Sequence, residues 1–141
     1  MCLNKCTQNG ILLALYLQRS GRAQLLEISK ELGISEDFLY QVAHKMKKHG
    51  LLVSYRGRNG GYELSGNLKI KDIFNALNPY LKNKRTVIGP QSEIRALAKY
   101  VRSLRSGLTP LLNKTIKQVN QELINEEVAH RERALETGVV Q

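Results

Sequence analysis

Apolar positions recur along this chain first at helical and then at strand spacing. Over Thr7–Leu17, Ile11, Leu12, Leu15 and Tyr16 fall on one helical face, with Gly10 as a weak point. Ser20-Gly21 breaks that helix. A second is predicted from about Arg22 to Leu32, with Leu25, Leu26, Ile28 and Leu32 apolar and Gly33 as its stop. A third follows in "GISEDFLYQVAHKMKKHG". Ser35 is its expected N-cap, and Glu36 and Asp37 sit in the first turn, where the helix dipole favours acids. Phe38, Leu39, Val42 and Met46 form its buried stripe. Lys45, Lys47 and Lys48 load its last turn before Gly50. Two short helices joined by a glycine-containing turn predict a helix-turn-helix.

The period then changes. Leu51–Arg56 and Tyr62–Leu64 read as strands around Gly57-Arg58-Asn59-Gly60-Gly61, where Asn-Gly signals a hairpin because both residues accept positive φ. A helix-turn-helix followed at once by a hairpin predicts a winged helix. Ile70–Leu77 is a further short helix. "NPYLKNKRTVIGP", over 78–90, is a polar, basic connector.

Gln91–Leu108 reads as a longer helix with Ile94, Leu97, Ala98, Val101, Leu104 and Leu108 along one side. Thr109-Pro110 is expected to interrupt it. Thr115 then caps a last helix to about Arg133, with Ile116, Val119, Leu123 and Ala129 apolar. The fold class expected is mainly α with a small β-hairpin wing. It divides into a winged helix-turn-helix over 1–77, the connector, dimerisation helices over 91–134 and a loose tail over 135–141.

Charge narrows the function. The 141 residues carry 22 Lys and Arg against 12 Asp and Glu, a formal net charge of +10, which favours a polyanionic partner. The excess is concentrated. No acid occurs between Phe38 and Tyr62, while Lys45, Lys47, Lys48, Arg56 and Arg58 all do. In a winged helix the third helix and the hairpin tip are neighbours, so these charges converge on one surface. That geometry suits a helix in the major groove of DNA and a wing on the backbone or over the minor groove, whose negative potential favours arginine. The exposed side of the third helix offers Ser35, Asp37, Tyr40, Gln41 and His44 to base edges. Lys45, Lys47, Lys48 and Arg58 are placed on phosphates, with Asn59 at the wing tip beside them. The blander reading is a solvated hairpin that needs Asn-Gly for its turn and arginine for solubility. An RNA- or protein-binding module and an anionic-membrane binder are the competing classes.

The long apolar stripe Ile94, Leu97, Val101, Leu104 and Leu108 is a natural dimer seam, and a two-fold protein matches a two-fold DNA site. Its alternative is packing within its own domain. His44 reads as a solvent or phosphate contact rather than a metal ligand, and His49 and His130 as surface residues. Enzyme signatures are missing: there is no P-loop, no G-x-S-x-G and no H-E-x-x-H. No apolar run approaches bilayer-spanning length, and no signal peptide is expected. The expected compartment is the bacterial cytoplasm.

"ISEDFLYQVAHKMKKHGLLVSYRGRNGGYELS" resembles the Rrf-two family of winged-helix transcription regulators, the group that includes iron–sulfur cluster and cysteine-metabolism regulators. "GLLVSYRGRNGGYEL" is the most specific part, "KIKDIFNAL" is similar to the family's next helix, and the match is good over about half the chain. The resemblance implies a homodimer on an imperfect palindromic operator, commonly a repressor. It implies that Ser35, Asp37, Tyr40 and Gln41 read bases and that Arg56 enters the minor groove beside Arg58. Members that sense through an iron–sulfur cluster carry three closely spaced cysteines after the post-wing helix. Here that region has none, so no cluster of that kind is expected. Cys2 and Cys6, the only two cysteines, are the remaining candidates for a thiolate or redox role. Their alternative is two ordinary thiols near a frayed terminus. An effector protein or small molecule is the other way such a regulator could be switched.

Overall fold

The computed structural model describes residues 4–78 and 106–138. Helix α1 spans Lys5–Ser20, longer at both ends than the periodicity predicted. Asn4 caps it by accepting from the Thr7 N–H at 2.7 Å. Gly21, at φ 72°, closes it. Its buried residues are Thr7, Gly10, Leu13, Ala14, Leu15 and Leu17; of the predicted face Leu15 is buried and Ile11 and Tyr16 are half-buried against the core. Leu12 is 42% exposed. The run "ILLALYL" supports either face, and packing against the following helices selects the one that Gly10 opens.

Helix α2 spans Leu25–Leu32 and helix α3 Glu36–Lys48. Gly33, at φ 65°, ends α2, and Ser29 Oγ donates to the Ile34 carbonyl at 2.6 Å across the turn. Leu39, Val42 and Met46 of α3 are fully buried and Phe38 half-buried, as the stripe predicted. The start of α2 differs from the expected Arg22, because Ala23 is drawn off to the wing. Leu26, expected inside, is 47% exposed.

Strands β1 (Leu52–Tyr55) and β2 (Gly61–Leu64) form the antiparallel hairpin, pairing Leu52 with Leu64 and Ser54 with Tyr62. Ala23 adds a one-residue bridge to β2: its N–H donates to the Tyr62 carbonyl at 3.1 Å and its carbonyl accepts from the Tyr62 N–H at 2.8 Å. The turn is built differently from the Asn-Gly expectation. Gly60 N–H donates to the Gly57 carbonyl at 2.9 Å, which puts Arg58 and Asn59 at the turn centre. Positive φ falls on Gly57 (103°) and Gly61 (135°), not on Asn59 and Gly60.

Helix α4 spans Ile70–Leu77 and packs on α1 and α3. Gly10 permits this approach, since a Cβ there would lie 2.2 Å from Leu77 Cδ1. Residues 106–112 form α5, which passes through Thr109 and Pro110 without the predicted interruption. Asn113 N–H donates to the Thr109 carbonyl at 3.0 Å, so the end comes after Pro110. Helix α6 spans Ile116–Glu136, three residues past the predicted end and into the predicted tail. Thr115 caps it as expected: its hydroxyl accepts from the Gln118 N–H at 3.3 Å while the Gln118 side chain accepts from the Thr115 N–H at 2.9 Å.

The first turns of α6 belong to the core of the winged helix. Ile116 is fully buried in the core cluster, α6 packs on α1, and Asn120 Nδ2 donates to the Leu15 carbonyl at 3.2 Å. A two-bond strap, Ile70 N–H to the Lys114 carbonyl at 3.0 Å and Ile116 N–H to the Leu68 carbonyl at 2.8 Å, holds α4 to the start of α6. Beyond Asn120 the helix is exposed: Leu123, expected inside, is 39% exposed and Ala129 is exposed as well. Burying each large side chain such as Leu13, Ile28, Met46, Ile73 or Ile116 contributes about 1.5–3 kcal/mol, so this shared core fixes α3 firmly from behind.

Candidate nucleic-acid interface

Helix α3 turns its apolar stripe inward, and the rest of its surface is left to solvent. Ser35, Asp37, Tyr40, Gln41, His44, Lys45, Lys47 and Lys48 are all exposed. Ser35 stands at the N-cap position, but its hydroxyl makes no capping hydrogen bond. The Tyr40 and His44 rings, one turn apart, stack with centroids 6.2 Å apart and planes 17° from parallel. At the helix end, Lys47 Nζ donates to Ser54 Oγ on β1 at 2.5 Å.

The wing therefore lies against the same side of α3. Ser54 pairs with Tyr62, so both side chains share one face of the hairpin, the face turned to α3. Half-burial there pushes the Tyr62 hydroxyl above its usual value near 10, and the neighbouring Tyr40 pushes it the same way. Tyr40 on the helix and Tyr62 on the strand are thus electrostatic neighbours. Arg56, Arg58 and Asn59 are exposed at and beyond the end of β1. The structure joins the lysine-rich end of α3 to β1 through Lys47 and Ser54, and no acid lies between Phe38 and Tyr62 in the sequence.

Two residues that hold the wing were not singled out from sequence. Arg22 lies 3.3 Å from Glu63 Oε2 and places its guanidinium 3.6 Å from the centroid of the Tyr55 ring. Gln24 Nε2 donates to the Arg58 carbonyl at 3.2 Å. Both flank Ala23, whose pairing with the wing has no periodic signal in the sequence.

Four predicted seam residues, Ile94, Leu97, Val101 and Leu104, lie outside the described residues, as do Cys2 and the connector from residue 79 on; Leu108 is half-buried in α5. Cys6 is a free, half-buried thiol packed against the core. Among the described residues no three His, Cys, Asp or Glu side chains come together as metal ligands. With two cysteines in the whole chain, one of them held against the core, the residues present do not fit a cluster bound by three cysteines. His49 and His130 are exposed, as read from sequence. A cleft of about 490 Å³, lined by Arg19, Leu123, Ile124, Glu126, Glu127, His130 and Arg133, shares none of the α3 or wing residues. No helix among the described residues is long and apolar enough to cross a membrane.

The family model described as Rrf2, iron-dependent transcriptional regulator, matches residues 7–129. The chain belongs to the Rrf2 family of transcriptional regulators. It is 31% identical over 127 residues to the HTH-type transcriptional regulator IscR of Enterobacter sp., covering 84% of this chain and 77% of the relative. It is 36% identical over 62 residues to IscR of Cronobacter sakazakii, covering 42% of this chain and 38% of the relative. The chain thus spans less than two thirds of the length of several curated relatives it matches. Among solved structures it superposes on CymR, the global cysteine regulator of B. subtilis, with a TM-score of 0.73 at 21% identity, covering 86% of this chain and 98% of that one. The likeness carries the fold, a winged helix with further helices after it. The family is one of transcriptional regulators.

Proposed function

We propose that this Rrf2 protein binds duplex DNA sequence-specifically and represses transcription as a homodimer on a palindromic operator. The observation that carries the reading is the contact of Lys47 with Ser54, which sets the lysine-rich end of α3 against the strand that leads to the arginine-tipped wing. In this mechanism α3 enters the major groove. Gln41 suits adenine, Asp37 suits cytosine, and the stacked Tyr40–His44 pair offers a flat apolar face to a thymine methyl. Arg56 reaches the adjacent minor groove, and Lys45, Lys47, Lys48 and Arg58 fix the register on phosphates, with Asn59 beside them.

The dimer is supported by apolar surface that one copy leaves open. Leu111 is 52% exposed, and along α6 Ile124 is 43%, Val128 48% and Leu135 71% exposed. A second copy would cover such a patch and set two α3 helices about one DNA turn apart. We propose the apolar stripe Ile94, Leu97, Val101, Leu104 and Leu108 of the sequence as a further part of the dimer contact. We also propose that the protein works without the family's three-cysteine cluster, in the bacterial cytoplasm, switched by a partner or a small molecule.

Selection of duplexes from a random-sequence pool by the purified protein tests the reading. Recovery of a palindrome supports it; failure to enrich any duplex, with retention of a random-sequence RNA pool offered in parallel, sinks it. Purification without oxygen, with a visible spectrum and iron analysis, tests the cluster-free state. A colourless, iron-free dimer that retains its duplex is expected.

A further inference from the structure

The wing is held from outside α3 as well as from it. Residues 22–24 run along β2 and touch both strands and the tip. Arg22 grips Glu63 of β2 and covers Tyr55 of β1, Ala23 exchanges two backbone hydrogen bonds with Tyr62, and Gln24 donates to the Arg58 carbonyl. The fit is close: a Cβ at Gly61 would lie 2.4 Å from the Ala23 carbonyl oxygen. Gln24 also begins α2, where its N–H donates to the Glu27 carboxylate at 3.2 Å. One residue thus joins the start of the helix-turn-helix to the centre of the wing turn.

We propose that Gln24 is a positioning residue that aims Arg58. Arg58 occupies the centre of the Gly57–Gly60 turn, so its side chain direction follows from how its own peptide is held. That peptide's carbonyl is the group Gln24 takes. A turn carbonyl otherwise bonds to water, which leaves the turn centre held only by the hydrogen bond from Gly60 N–H to the Gly57 carbonyl. Fixing it ahead of binding removes an ordering cost that the complex would otherwise bear. Gln24 itself need not touch DNA. This role presupposes that the wing meets DNA, as proposed above.

The test uses the full chain and the duplex that the unmodified protein selects from a random pool. Gln24→Ser keeps a good N-cap residue for α2 but is too short to reach Arg58; Gln24→Met keeps the length and removes the donor. Both should lower duplex affinity by about three- to tenfold, the range of a single hydrogen bond. In an Arg58→Ala background, where no side chain remains to be aimed, the same changes should have no further effect. Without DNA, amide exchange at Gly60 and Asn59 should quicken in both variants while α3 amides stay protected. A purely structural role would not erase the affinity loss in the Arg58→Ala background. Full additive losses there, unchanged affinity in the parent background, or unchanged wing exchange would each overturn the proposal. If the unmodified protein retains no duplex, the DNA reading falls and this role with it; normal binding with additive losses sinks this role alone.

Discussion

Lys47 reaches from the last turn of α3 to Ser54 on β1, its ammonium 2.5 Å from the serine hydroxyl. An ammonium has three donors, so one bond to the wing leaves two for phosphate. The contact is exposed, and its net worth to folding is at most about 1 kcal/mol. Ser54→Ala should therefore change stability by less than about 1 kcal/mol in urea titration and leave the salt dependence of duplex binding intact. Lys47→Gln removes the charge, and the slope of log affinity against log salt should become shallower by about 1. An unchanged slope would mean that Lys47 serves the wing alone.

Arg56 sits one residue past β1, exposed, where the hairpin leaves the surface of α3. Arg56→Ala should weaken binding to the selected duplex by roughly 1–3 kcal/mol and relax preference at the position it meets. Arg56→Lys keeps the charge but not the flat guanidinium and should restore only part of the loss. Competition gel shifts against selected and scrambled duplexes separate the two effects. Equal losses on both duplexes would reassign Arg56 to phosphate.

Three glycines discriminate between backbone strain and close packing. Gly61 (φ 135°) and Gly66 (φ 144°) share a backbone region that L side chains rarely adopt, but only Gly61 has backbone atoms of Ala23 against its Cβ position. Alanine at Gly66 should cost on the order of 1–3 kcal/mol of strain, and alanine at Gly61 more than that, because the Ala23–Tyr62 bridge must also open. Gly10 has ordinary helical backbone, so Gly10→Ala gains roughly 0.5–1 kcal/mol of helix propensity. The added methyl meets Leu77 and Ile73, and overpacking of about 1–3 kcal/mol should outweigh that gain. Chemical denaturation of the three variants gives the order; a Gly10→Ala protein more stable than the parent would show that α4 yields easily.

The elements that were legible in the sequence are those whose signal is local. The α3 stripe of Leu39, Val42 and Met46, the α4 span and the Thr115 cap each depend on a few adjacent residues, and each stands where the pattern put it. The α1 face is only partly legible because seven continuous apolar residues satisfy two helical registers, and the close approach of α4 at Gly10 has no local signal. Arg22–Gln24 looked helical because a single bridging residue has no period. The cationic residues of the interface were legible from the gap in acids, whereas Arg22 and Gln24 were not, since their partners Glu63, Tyr55 and Arg58 lie more than thirty residues away. Pro110 stands inside the described part of α5, against the break read from Thr109-Pro110.

The wing should also report on itself in alkali. Half-burial, then the neighbouring Tyr40, raise the Tyr62 hydroxyl above its usual value near 10, so the folded chain holds that proton more tightly than the unfolded one. The stability that follows is complete below pH 10 and is lost as pH rises through the folded value. Tyr16 is raised as well, chiefly by donating to the Glu31 carboxylate at 2.8 Å, and it acts in the same direction. Tyr62→Phe keeps the ring and both backbone bonds to Ala23 and removes the titrating group. Parent and variant share Tyr16, so the difference between their stabilities isolates Tyr62. The parent should lose stability faster than Tyr62→Phe from pH 10 upward in urea titrations at stepped pH. Tyrosinate absorbance should show one tyrosine fewer titrating late in the variant. Parallel stability curves for the two proteins would mean that Tyr62 ionises freely, and with it that the wing does not hold this ring against α3.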